Sequence, residues 1–204
     1  MNEVTIFPLL YAAPLSYYAQ FIKNQSVLDP NERYTKQNFR SRSLVFGANG
    51  VITLSIPIEG GSVKKPMIDA QISNIEPWQR NHWKTLESAY KSSPFFEFYS
   101  YLIHPIYDTK HLSLWEFNLA FHKIILKCLE VSEEISISSE YTPITATDQR
   151  ALYSSKKPHS SSLSFPEYQQ VFSYERDFEP DLSILDGLFN LGPELESYLL
   201  KLPV

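Results

Sequence analysis

The chain has 204 residues, is 43% hydrophobic and 20% charged, and carries a formal net charge of -5, values ordinary for a single globular domain with one sizeable core. Its acidic balance excludes a general nucleic-acid binder, because such domains carry a basic face, whereas this pI is about 5.6. Cys128 is the single cysteine, which excludes an intrachain disulfide and the usual cysteine-based structural zinc sets.

The N-terminal stretch has no basic n-region and is broken by Pro8 and Pro14, and no run approaches 18 apolar residues. These features predict a cytoplasmic protein with no signal peptide, no transmembrane helix and no membrane partner.

Val4 to Phe7 reads as a short strand, Leu15 to Lys23 as a helix with Pro14 near its first turn, and Ser26 to Leu28 as a second strand closed by Asp29-Pro30-Asn31. If this β-α-β opening is parallel, the loop after the first strand lies at the carboxyl edge, where open α/β sheets bind ligands. Glu32 to Arg42 then packs Arg33, Lys36, Arg40 and Arg42 around one carboxylate. Such a cluster is either a solvated patch or a site for phosphate or carboxylate, which guanidinium groups bind bidentately.

Gly47-Ala-Asn-Gly50 between Leu44 to Phe46 and Val51 to Ile58 predicts a β-hairpin. Gly60 to Pro66, with Lys64 and Lys65, is a loop able to cradle phosphate but without the Walker spacing. Ile68 to Ile72 reads as a returning strand. Pro77 to Tyr90 follows as a helix whose apolar arc includes Trp78, Trp83, Leu86, Ala89 and Tyr90. His82 and Gln79 fall inside that arc. His82 is there either a core histidine with a hydrogen-bond partner or a neutral general base.

Ser93 is placed to cap a helix over Pro94 to Ile103 that Pro105 should break or kink. Ser113-Leu-Trp-Glu116 is a capping box opening a largely apolar helix to about Val131. Asn118 and His122, four residues apart on its apolar side, are placed to bond one another. Residues 142–166, rich in Ser and Thr, form a mobile loop, either a linker or a lid that carries Arg150 and Lys156 to a site. Tyr168 to Tyr174 alternates like an edge strand. Asp181 caps a short helix through Phe189, with Asp186 at its apolar edge as a rim salt bridge or a carboxylate aimed into a pocket.

The expectation is a single mixed α/β domain over residues 1–204: a small sheet with a β-hairpin, packed by several helices. The common nucleotide, metal and serine-hydrolase motifs are absent. No metal ligands and no cofactor emerge.

Several stretches together resemble the WbqC-like family: Tyr11 to Tyr17, Tyr34 to Arg42, Trp78 to Tyr99 with its His82-Trp83, and Leu182 to Pro193. Many members carry a His-Gln-Pro-Asn-Tyr type motif after the first strand, where this chain has Phe7-Pro-Leu-Leu-Tyr11 and lacks the histidine and glutamine. The resemblance implies a transferase of surface-polysaccharide (O-antigen-type) biosynthesis, with aminoacyl or glycine transfer to an activated amino sugar, or a non-enzymatic scaffold that binds a small anion or a nucleotide-sugar. Tyr11, Tyr34, Lys36, Gln37, Arg40 and Arg42 are the substrate-binding candidates, and His82 and Asp186 the catalytic ones.

Overall fold

The computed structural model describes residues 4–60, 65–132, 134–143, 147–153 and 163–204. Strand β1 (Thr5–Phe7), helix α1 (Leu15–Lys23) and strand β2 (Ser26–Leu28) form the expected parallel β-α-β unit. Strand β5 (Ser136–Ile137) adds in parallel to β2, giving the order β1-β2-β5. Strands β3 (Arg42–Gly47) and β4 (Gly50–Ser55) pair antiparallel, with Gly50 at φ 107 in the turn, where a side chain would be strained. This hairpin is a separate two-stranded sheet, not part of the parallel one. The fold is mixed α/β in one body, with helices α2 (Trp78–Tyr90), α3 (Phe96–Asp108), α4 (Leu114–Cys128), α5 (Ile184–Leu191) and α6 (Leu195–Lys201).

The loop between β1 and α1 is the unusual element. Residues 8–14 are all buried, although loops normally keep to the surface because their backbone groups need partners. Here the partners come from three directions: Tyr11 N–H donates to the Phe39 carbonyl at 2.9 Å, Ser43 and Ser183 hydroxyls donate to the Ala12 carbonyl at 2.8 and 2.9 Å, and Ile184 N–H donates to the Ala13 carbonyl at 2.8 Å. Ala12 is held at φ 39, a left-handed conformation that a non-glycine residue keeps only when its surroundings dictate it. Leu9 and Leu10, at 0% and 2% exposure, fill the carboxyl edge of β1 with apolar side chains.

Helix α4 is the central packing element, burying Leu114, Phe117, Phe121, Ile125 and Leu126 behind its Ser113 cap, which accepts from Glu116 N–H at 3.3 Å. Several segments fold differently from the sequence expectation. Residues 67–69 form a 3-10 turn and only an Ile58 to Ile72 bridge returns to the hairpin side. Ser93 bonds the Tyr90 carbonyl instead of capping α3, and α3 runs through Pro105 to Asp108. The bond lost at Pro105 falls on the face where Tyr101 and Pro105 are exposed, so water can serve the freed carbonyl. Residues 171–175 turn instead of extending. Asp181 caps α1, not its own helix: its carboxylate accepts from Ser16 N–H at 2.7 Å and from the Ser16 hydroxyl at 2.9 Å, while Ser183 caps α5.

Candidate functional site

The basic cluster at 33–42 divides on folding. Arg40 is 3% exposed and its guanidinium grips Glu32 with two bonds, one from Nε at 3.0 Å to Oε1 and one from Nη2 to Oε2, and a third reaches the Arg150 carbonyl at 3.1 Å. The anion that Arg40 binds is therefore the protein's own Glu32. Burial pushes the Glu32 carboxyl up, with Arg40 opposing. Tyr34 is buried, its hydroxyl 3.2 Å from Ser41 Oγ. Arg33, Lys36 and Gln37 are exposed and Arg42 half-buried.

Arg150 is placed beside this pair and is no cargo of a mobile lid: it bonds Asp29 at 2.7 Å, Asp148 at 2.6 Å and the Thr142 carbonyl at 2.8 Å. Burial raises the Asp148 carboxyl, but the Arg150 bonds outweigh it and hold the group below its ordinary value. Asp148 in turn bridges β1 at Ile6, so residues 147–153 are fastened to the sheet. Lys156 and residues 61–64 of the glycine loop lie outside the described residues.

His82 is 6% exposed and faces inward from α2. Its Nδ1 lies 2.9 Å from the Tyr11 hydroxyl, which lies 2.9 Å from the Tyr107 hydroxyl, and the Ser55 backbone bonds the ring as well. The arrangement selects the tautomer with the proton on Nε2, so that Nδ1 accepts from Tyr11 and Tyr11 accepts from Tyr107. Burial pushes the imidazole down to about 4, with the Ser55 bond opposing, so His82 is neutral at pH 7. Tyr11 is fully buried and belongs to this chain of hydroxyls.

Asp186 does not join His82. It is fully buried on α5, its Oδ2 accepting from the Tyr168 hydroxyl at 2.5 Å and from Gln170 Nε2 at 2.9 Å, while Oδ1 has no hydrogen-bond partner among the described residues. It is thus neither a rim salt bridge nor a carboxylate open to a pocket, and burial pushes its carboxyl up. Asn118 and His122 are also not a pair: Asn118 Nδ2 donates to the Arg40 carbonyl at 2.8 Å, and His122 Nδ1 lies 3.0 Å from the Tyr18 hydroxyl. Their partners come from other segments, which i,i+4 spacing does not reveal.

On the outer side of α2 lies a cleft of about 720 Å³ between the first half of that helix and the end of α3, within the size range of small-molecule sites. Arg80, Lys84 and Lys110 line it with Glu76, Glu87 and Asp108. The Trp83 and His104 rings, 4.4 Å between centroids at 36°, form an aromatic wall, and Tyr107 joins them, connecting the cleft to Tyr11 and His82. A second concavity of about 600 Å³ opens beside Tyr168, Arg176 and Asp177. Sequence reading passed over Arg80, Lys84 and Trp83 because the first two fall on the polar side of α2 and Trp83 at the edge of its apolar arc. The available signal was the i,i+4 spacing of the two cations beside an aromatic.

A family model described as the WbqC-like protein family matches residues 12–164. The chain belongs to the WbqC-like family. That match contains His82 and every residue of the cleft, and it ends before Asp186. An uncharacterized protein of Mycobacterium tuberculosis, Rv1507c, is similar to this WbqC-like chain at 24% identity over 227 residues, covering 98% of each. No solved structure matches it. Among the described residues, no helix is long and apolar enough to cross a membrane.

Proposed function

We propose that this WbqC-like protein is a transferase of surface-polysaccharide synthesis that binds a nucleotide-linked amino sugar in the α2–α3 cleft and moves an aminoacyl group onto it from an activated donor. The observation that carries the reading is the set of cations in the cleft: among the described residues, Arg80, Lys84 and Lys110 line one concave surface beside Glu76, Glu87 and Asp108, and none of the three is in an ion pair. Cations not engaged in ion pairs suit direct charge-assisted bonds to a diphosphate, while the Trp83 and His104 wall suits the flat face of a base or sugar. His82 acts here as a positioning residue, holding Tyr107 at the wall through Tyr11.

Calorimetry with UDP-N-acetylglucosamine tests this. Arg80→Ala and Lys84→Ala should each weaken binding by about 1.5 to 3 kcal/mol, with unfolding unchanged. Equal affinities in wild type and in the double variant would remove the cleft as the anion seat.

A second reading, a non-enzymatic binding or scaffold protein, is favoured by one observation: His82 and Asp186 are both buried and bond different partners, Tyr11 for the one and Tyr168 and Gln170 for the other. Mass-spectrometric detection of a modified sugar nucleotide separates the two, since a scaffold returns its ligand unchanged.

A further inference from the structure

If group transfer takes place in the cleft, a proton must leave the attacking hydroxyl or amine. The histidines among the described residues can be compared for this task. His122 is 1% exposed and His82 6% exposed, and burial pushes them down to about 3 and about 4. Neither lines the cleft. His111 has its Nε2 2.9 Å from the Ile106 carbonyl.

His104 differs from all three. Its side chain is 42% exposed and lines the cleft, its ring lies 4.4 Å from that of Trp83, and its Nε2 is 3.5 Å from Asp108 Oδ1 one helical turn on. The charged groups sharing this cleft are Glu76 just before α2, Arg80, Lys84 and Glu87 from α2, and Asp108 and Lys110 from the end of α3. An aromatic plane against the ring restricts its orientation, a carboxylate lies near Nε2, and Nδ1 has no hydrogen-bond partner among the described residues.

Resting on the cleft reading above, we propose that His104 is the catalytic acid–base residue of this protein, touching the substrate through Nδ1 with the Asp108 carboxylate near Nε2. In the transfer, the nucleophile's proton passes to Nδ1 as its bond to the aminoacyl carbon forms. The same proton is returned to the leaving group as that group's bond to the carbon breaks, so protons and electron pairs balance over one cycle.

Diethyl pyrocarbonate, which labels neutral imidazole, gives a readout independent of the reaction. The full chain is labelled with and without UDP-N-acetylglucosamine and the sites are mapped by mass spectrometry. His104 should label at least 10-fold faster than His82 and His122, and the sugar nucleotide should slow it several-fold. If the probe binds by calorimetry yet His104 labels equally fast with and without it, His104 does not touch the ligand and this assignment fails while the cleft stands. If the probe binds wild type and the Arg80→Ala/Lys84→Ala double variant equally, it is the cleft reading that fails.

Discussion

On the inner side of α2, His82 meets the Tyr11 hydroxyl, the Ser55 backbone and the edge of the Trp78 ring. On the outer side, Arg80, Lys84 and Glu87 line a cleft and make no ion pair among the described residues. One helix thus carries two kinds of polar group. Inside, desolvation penalises any group left without a partner, so Arg40 takes Glu32, Arg150 takes Asp29 and Asp148, and Asp186 takes Tyr168 and Gln170. In the cleft, Arg80, Lys84 and Glu87 are exposed, so solvent can satisfy their charges. A cation cluster in sequence is open to an external anion only where folding leaves it outside internal ion pairs, and Arg40 is not so left.

The sharpest way to break this comparison is to cut the interior pair. Glu32→Ala leaves the Arg40 charge buried and unpaired, and should cost about 3 to 5 kcal/mol of stability by urea unfolding, with UDP-N-acetylglucosamine affinity retained in the folded fraction. A loss of well under 1 kcal/mol would show that Arg40 is not confined as described.

Acid should act next through His82. The folded imidazole sits at about 4 against an ordinary 6.5, so the unfolded chain binds the proton first as pH falls. Stability should drop by about 3 kcal/mol between pH 6.5 and pH 4 from this group, and His122 adds a further fall in the same direction. His82→Gln should flatten the first component in a series of melts across that range. An unchanged pH slope would mean that His82 titrates normally.

Asp186 should give a smaller effect of opposite pH sense. Its folded carboxyl is raised by burial, so the folded state binds the proton more tightly than the unfolded one. The stability it lends is full below the ordinary carboxylate value and declines as pH rises through the raised one. Asp186→Asn keeps an acceptor for Tyr168 and removes the charge, so at pH 7 it should melt no lower than wild type, whereas Asp186→Ala should lose about 1 to 3 kcal/mol through unpartnered donors. If Asn proved as damaging as Ala, the charge itself would be required.

The smallest stability change belongs to the cleft. Arg80→Ala and Lys84→Ala should stay within about 0.5 kcal/mol of wild type while ligand affinity falls, the reverse of the Glu32→Ala outcome.

What the sequence determined by itself was whatever local chemistry decides. The β-α-β opening follows from two short apolar strands around a proline-led helix, the hairpin from Gly47 to Gly50, and the burial of α4 from an apolar face wider than half its circumference behind a Ser113 cap. The family was also legible, because its strings occur as contiguous residues. Tertiary structure decided every pairing across long separations: Arg40 with the Arg150 carbonyl, Asp181 with the start of α1, Tyr11 with His82 and Tyr107. It also placed His104 and Lys110, at and just beyond the end of α3, opposite Arg80 and Lys84 on α2 to make a cleft. No spacing rule reaches these contacts, because a side chain finds its partner through the packing of whole elements, and whether a charge is matched or left open depends on which anion that packing carries to it.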